Sequence, residues 1–244
     1  MIRYYGLIGH PLGHSFSKAY FEEKFKKEHL DCRFLNFDIE KIEKIKEIIA
    51  QYPDLQGFTI TYPYKEMIFP YIDAIDENAK EIGAVNMVKI TDGKLKGFNT
   101  DYIGFQGLLE SAIKDKKIKK AYICGSGGAS KAVRFVLKNK NINFEILTRK
   151  NDSYQELNSR GFQDNELIIN ATPVGMYPKC DDMLDLPYST ANESNVFIDL
   201  IYNPEETRFM KEAKIHGAMT FNGLKMLQLQ AEAAWRIWSL EFKV

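Results

Sequence analysis

The stretch Ala121-Tyr-Ile-Cys-Gly-Ser-Gly-Gly-Ala-Ser-Lys-Ala132 restricts the fold of this chain more than any other. Strand-type residues run into Gly125, Gly127 and Gly128, and a helical pattern opens directly after them. A strand, a glycine turn and a helix in that order form a cradle for an anionic group, because amides without partners and the positive dipole end lie at the helix N-terminus. The second glycine lets backbone approach the pyrophosphate of a dinucleotide. The generic pattern wants Gly or Ala where this chain has Ser130. Taken alone, such a turn also serves merely to change chain direction.

The segments after the turn read as a regular β-α-β series. Strands are expected at Tyr122 to Cys124, Phe144 to Thr148, Leu167 to Ile169 and Val196 to Leu200, with helices at Ala129 to Lys138 and Glu205 to His216. The loop from Ala171 to Pro187 is long for a compact domain, and such loops are often functional. Leu224 to Leu240 reads as a long helix with Leu224, Leu227, Ala231, Ala234, Trp235 and Trp238 on one face, a stripe that suits core packing.

Before the turn the pattern is again α/β. Strands are expected at Ile2 to Ile8, Cys32 to Asp38, Gly57 to Tyr62, Ala84 to Ile90 and Leu95 to Phe98, the last two around the hairpin signal Asp92-Gly93. Helices are expected at Lys18 to His29, across Ile42 to Ile49, at Asp76 to Ile82 before Gly83, and from Asp101. Ser15 and Ser17 follow the first strand, where a hydroxyl either caps the helix or faces a polar ligand. Lys65 comes just after the strand that stops at Pro63, and ligands of α/β sheets collect at such ends. Asp101 reads as an N-cap or first-turn acid. The pattern therefore predicts an α/β chain of two domains, dividing near Asp101, with a ligand cleft between them.

Composition excludes several classes. Lys plus Arg and Asp plus Glu are 33 each, which argues against a nucleic-acid or membrane-surface partner, and the run Lys114 to Lys120 reads as a solvated connector. No apolar run approaches the roughly 18 residues of a membrane span. The first residues lack the apolar region of a signal peptide. Three cysteines without CxxC spacing point to a reducing, cytoplasmic compartment. His10 and His14 stand four positions apart, but Gly and Pro between them break the helix that such metal ligation needs, so no metal site is expected.

The cofactor is read at the end of the second strand of the nucleotide unit. An acid there holds the ribose 2′-hydroxyl of NAD, whereas Arg accommodates the 2′-phosphate of NADP. Glu145 has the usual count from Gly125, about 20 residues, but belongs inside its strand. Thr148, Arg149 and Lys150 stand at the strand end, and a hydroxyl with two cations suits a phosphate. The expectation is NADP.

Eight segments, in one order and at compatible spacings, resemble the shikimate dehydrogenase family: GHPLGHSFSKAYF, GFTITYPYKE, IGAVN, GFNTD, CGSGGASKA, NATPVGM, DLIYNPEET and NGLKMLQLQAEAAW. The resemblance extends over nearly the whole chain. It implies NADPH-dependent reduction of 3-dehydroshikimate to shikimate, on the way to aromatic amino acids. It also implies an N-terminal substrate domain with a mixed sheet (1–101) completed by the C-terminal helix (223–244), and a Rossmann-type NADP domain (102–222). The family's catalytic pair falls on Lys65 and Asp101. Its substrate contacts fall on Ser15, Ser17, Thr61, Asn86, Tyr202 and Gln230. Its cofactor contacts fall on Gly125, Ser126, Gly127, Gly128, Ala129, Thr148, Arg149 and Gly223. Thr59, Thr148 and Lys225 depart from residues usual in the family. A quinate or dual quinate/shikimate dehydrogenase using NAD, or a non-catalytic metabolite sensor, remain the alternatives. The implied partner is a small-molecule substrate, and the protein is expected to be a monomer or homodimer.

Overall fold

A computed structural model describes residues 2–12, 16–114, 116–149 and 153–239. The chain divides into two compact units, one built from residues up to Thr100 together with Ala231 onward, the other from Asp101 to Gln230. The return to the first unit thus falls at Ala231, inside the last helix, where the resemblance implied residue 223.

The first unit contains strands β1 (Arg3–Gly9), β2 (Cys32–Asp38), β3 (Leu55–Ile60), β4 (Ala74–Ile75), β5 (Met87–Thr91) and β6 (Lys94–Phe98). Helices α1 (Phe16–Lys27), α2 (Ile45–Gln51) and α3 (Glu77–Ile82) connect them. The strand order is β2-β1-β3-β5-β6-β4. β1 is parallel to β2 and β3, while β5 is antiparallel to β3 and β6, so the sheet is mixed. Both faces are buried. Ile8, Phe58 and Ile60 pack with the Ile45 and Ile48 side of α2, whereas Tyr5, Leu7 and Met87 pack with Phe21 and Phe25 of α1. Local chemistry fixes the connections. Asp92 and Gly93 both take positive φ (51° and 72°), as the tight turn between β5 and β6 requires. The Asp76 carboxylate accepts from the amides of Asn78 and Ala79 to cap α3, and Gly83 ends that helix at φ 72°.

The second unit runs α4 (Asp101–Ile113), β7 (Lys120–Cys124), α5 (Gly128–Asn139), β8 (Phe144–Leu147), α6 (Ser153–Arg160), β9 (Glu166–Asn170), β10 (Val196–Asp199), α7 (Arg208–Ile215), β11 (Met219–Phe221) and α8 (Leu224–Ser239). All five strands are parallel, in the order β11-β10-β9-β7-β8. Alternate residues serve opposite faces: Ala121, Ile123, Leu167 and Ile169 meet Leu108 and Val133, while Tyr122, Cys124, Ile168 and Phe197 meet Leu157 and Phe209. This is a doubly wound α/β architecture.

The stripe along α8 is divided. Ala231, Ala234, Trp235 and Trp238 pack in the first unit's core, but Leu224 is exposed. Trp238 packs on Tyr5 in a tilted arrangement, ring centres 4.9 Å apart, and donates from Nε1 to the Val88 carbonyl at 2.9 Å. A Cβ at Gly57 would lie 2.3 Å from that Nε1, so the missing side chain admits the indole.

Candidate functional site

In the first sheet the chain goes from β1 to β2 on one side and to β3 on the other. The C-terminal ends of β1 and β3 therefore mark a topological switch point, where such sheets take ligands. Thr61 and Lys65 follow β3 at that edge. The Thr61 amide donates to the Ile8 carbonyl at 2.9 Å, and the His10 amide to the Tyr62 carbonyl at 3.0 Å. The turn bearing Lys65 is anchored by its neighbour. Tyr64 is buried and its hydroxyl donates to the Ile39 carbonyl at 2.5 Å, while the Lys65 carbonyl accepts from the Val85 amide at 2.8 Å. Ser17 is buried in the first turn of α1, inside the helix and not at its cap. Ser15 lies outside the described residues. His10, set aside as a metal ligand, meets Asp38 through Nδ1 at 2.6 Å, and the same carboxylate accepts from the Leu12 amide at 3.0 Å.

Asn86 precedes β5, which places it at the same edge because β5 runs antiparallel to β3. It is buried. Its Nδ2 donates to Thr100 Oγ1 at 3.0 Å, and its Oδ1 accepts from the Thr100 amide at 2.6 Å. Asn99 is likewise buried, donating to the Ala84 carbonyl at 2.9 Å. Those bonds fix the backbone immediately before Asp101. The sequence reading missed Thr100, whose hydroxyl carries no periodic signal.

In the second unit Asp101 is the first residue of α4 and is buried. Three residues on, a Cβ at Gly104 would lie 2.4 Å from the Met226 carbonyl and 3.1 Å from Gln230 Cβ. The glycine lets α8 approach and brings Gln230 close to the same helix face as Asp101. Gln230 Nε2 donates to the Leu227 carbonyl at 3.0 Å. Lys225, one of the departures, hydrogen-bonds Ser111 of α4. Thr59, another, donates to the Gly6 carbonyl at 3.3 Å within the first unit's sheet.

The glycine turn joins β7 to α5. Gly125 has φ 102°, and a Cβ there would meet Thr172 Cγ2 at 2.8 Å. Gly127 is the N-cap of α5 in an extended conformation, and no described atom lies within 4 Å of where its Cβ would be. Among the described residues no side chain caps α5. The turn thus presents Ser126, Gly127, Gly128 and Ala129 as an open cradle at a helix N-terminus, which fits a dinucleotide phosphate. Ser130 fills the position of the pattern's third glycine. It is fully buried and its hydroxyl has no hydrogen-bond partner among the described residues.

β8 ends at Leu147, one residue before the expected end, so Thr148 and Arg149 emerge directly from the strand edge. The Thr148 amide donates to Ser153 Oγ at 3.3 Å, and Arg149 is exposed. Lys150 lies outside the described residues. Glu145 pairs in register with Tyr122 and binds Lys120 Nζ at 2.7 Å, back toward the start of β7. That contact leaves it poorly placed for a ribose. Tyr202 is partly buried, which raises its phenol pKa. Gly223 is buried, and a Cβ there would lie 2.1 Å from the Leu200 carbonyl, so only glycine fits.

Residues 7–88 match the family model described as the shikimate dehydrogenase substrate binding domain. The NADP(+) shikimate dehydrogenase of Methanococcus maripaludis is 41% identical over 254 residues, covering 96% of this chain and 90% of that protein. The chain belongs to the shikimate dehydrogenase family. Shikimate dehydrogenase 1 of Peptoclostridium difficile superposes with a TM-score of 0.86 at 36% identity, covering 99% of this chain and 94% of that one. The Thermus thermophilus enzyme, solved with NADP(H) and shikimate, gives 0.82 at 30% identity, with coverages of 98% and 94%.

One cluster escaped the sequence reading. Asn170, Thr172, Asp199 and Thr207 form a buried or part-buried network at the C-terminal edge of β9 and β10. Their segments, NATPVGM and DLIYNPEET, stood out for the family resemblance, for the long loop from Ala171 and for Tyr202, but not for these four side chains. Nothing in their spacing announces that the side chains meet.

Proposed function

We propose that this protein is a shikimate dehydrogenase, reducing 3-dehydroshikimate to shikimate with NADPH and running reversibly. The observation that carries the reading is Lys65 at the switch-point edge of the first sheet, inside the segment matched by the substrate-binding family model. Bound NADPH supplies the hydride, so the protein must supply a proton and hold the ketone still. A lysine is protonated at neutral pH and is a competent acid. Lys65 gives its proton to the carbonyl oxygen, and Asp101 orients the lysine and a ring hydroxyl. Ser15, Ser17, Thr61, Asn86, Tyr202 and Gln230 hold the hydroxylated ring and its carboxylate. Gly125 to Ala129 take the pyrophosphate, Thr148 and Arg149 the adenosine phosphate, and the Gly223 backbone lies beside the nicotinamide. In this assignment the first unit binds substrate and the second binds NADP. A cytoplasmic location accords with three free thiols, Cys32, Cys124 and Cys180.

Rates with shikimate and quinate, each with NADP and with NAD, test the reading side by side. Shikimate with NADP should be fastest. A preference for quinate or NAD would move the protein to the neighbouring specificity, and no turnover of either would make it a sensor. Lys65→Ala should lower kcat by about two to four orders of magnitude, the range for a general acid, with a much smaller change in substrate affinity. Near wild-type turnover in that variant would remove Lys65 from the mechanism.

A further inference from the structure

Asp199 is a buried acid that neither hydride delivery nor proton donation uses. It ends β10 with no solvent exposure. Its Oδ1 accepts from Asn170 Nδ2 at 3.1 Å and from the Ile201 amide at 3.0 Å, and its Oδ2 accepts from Thr207 Oγ1 at 2.5 Å. Asn170 extends the network. Its Oδ1 accepts from the Thr172 amide at 3.0 Å and hydroxyl at 2.7 Å, and its Nδ2 also reaches the Val174 carbonyl at 3.2 Å. Thr172 is the side chain against which Gly125 packs. The Ile201 carbonyl in turn accepts from the Gly223 amide at 2.9 Å. One carboxylate therefore reaches the loop after β9, the backbone beside Gly223, and the start of α7. Burying a carboxylate is costly unless its bonds return something, and a well-packed apolar side chain would avoid that cost.

We propose that Asp199 is a positioning residue, fixing the Asn170–Val174 loop and the Ile201–Gly223 backbone in register with the glycine turn so that the NADP site is formed before the cofactor arrives. The proposal rests on the functional reading for its cofactor, and on the geometry alone for its network. Burial lifts the Asp199 carboxyl to about 6, against its hydrogen bonds from Thr207, Ile201 and Asn170. Cys124 on β7 and Tyr188 after the long loop feel its charge, and Tyr154 on α6 and Glu212 on α7 act on those two in turn. Burial pushes the Cys124 thiol up to about 12 and raises both tyrosines, so of these shifted groups only Asp199 changes charge near neutral pH. Its protonation weakens the bonds from Asn170, Ile201 and Thr207 while relieving the larger cost of burying the charge.

The test compares wild type with Asp199→Asn, Thr207→Val and Thr207→Ser. Hydrogen exchange of the cofactor-free protein should speed up by about tenfold at the amides of Thr172, Ile201 and Gly223 in Asp199→Asn, the scale of one hydrogen bond lost. NADP+ affinity should fall by about tenfold or more, with the KM for 3-dehydroshikimate changing far less. An acid limb near pH 6 in wild-type kcat/KM should be absent in the variant. Thr207→Ser should behave as wild type, because it keeps the hydroxyl. If Asp199→Asn fails to fold, Thr207→Val carries the exchange and NADP+ affinity readouts, since it removes one bond to the carboxylate and leaves the carboxyl in place. Unchanged local exchange with unchanged NADP+ affinity would overturn the proposal. So would a uniform rise in exchange across the second unit with no selective loss of NADP+ binding. If wild type does not turn over 3-dehydroshikimate, the functional reading fails, while exchange and NADP+ binding still decide the role of Asp199.

Discussion

At the scale of the residue, Ser130 shows how a departure from a pattern is paid for. The third glycine position lies where a helix packs closely on its sheet, and Ser130 brings a hydroxyl into that contact without a partner among the described residues. A buried polar group left unsatisfied costs about 1–3 kcal/mol, and alanine is the better helix former. Ser130→Ala should therefore raise unfolding free energy by about 1 kcal/mol in denaturant titration while leaving NADP+ affinity intact. Measurable destabilisation would mean that the hydroxyl is satisfied in solution. Gly223 is the opposite case: a Cβ there would lie 2.1 Å from the Leu200 carbonyl oxygen, a requirement invisible to any local pattern.

At the scale of the element, most of the fold was legible because each signal is local. β2 spans Cys32–Asp38 as read, and Asp76, Gly83 and the Asp92-Gly93 turn act through side chains and φ values that neighbours do not change. The elements missed are those without periodicity: two-residue β4, three-residue β11 and the polar helix α6. The expected strand at Ala84 to Ile90 begins only at Met87: the Val85 amide donates to the Lys65 carbonyl, while Asn86 keeps backbone bonds to Ile60 and Phe98 and turns its side chain to Thr100. The candidate site was legible where a strand end carries it, at Lys65 and Arg149, and illegible at Asp199, whose partners come from separate segments. Helix α8 carries a prediction of its own. Trp238 packs on Tyr5 and Phe21 and donates to Val88, so Trp238→Ala should cost about 3–5 kcal/mol in unfolding free energy. Trp238→Phe should lose only about 1 kcal/mol, chiefly the Nε1 bond. Equal losses in the two variants would show that the packing contributes little.

At the scale of the whole molecule, Asp199 leaves a mark on the pH dependence of stability. Its folded pKa of about 6 lies above the ordinary value of 3.8, so between these values the folded state holds the proton that the unfolded state has released. Stability from this group is greatest below pH 4 and falls as pH rises through 6, by up to about 3 kcal/mol for a shift near two units. Asp38, Glu110 and Glu232 are shifted the other way by their partners and lose stability as pH falls. The difference between wild type and Asp199→Asn isolates the first effect: wild type should lose ground steadily from pH 4 to 6 in denaturant unfolding. A constant difference over that range would contradict the shift. One consequence of the chain path concerns the order of synthesis. Residues up to Thr100 leave the ribosome first, yet the aromatic cluster around Tyr5, Phe21 and Phe25 lacks Trp235 and Trp238 until residues 101–230 have followed. During translation residues 101–230 can be finished while the first unit still waits with an open apolar face. The core whose residues are made earlier is therefore the one that closes later.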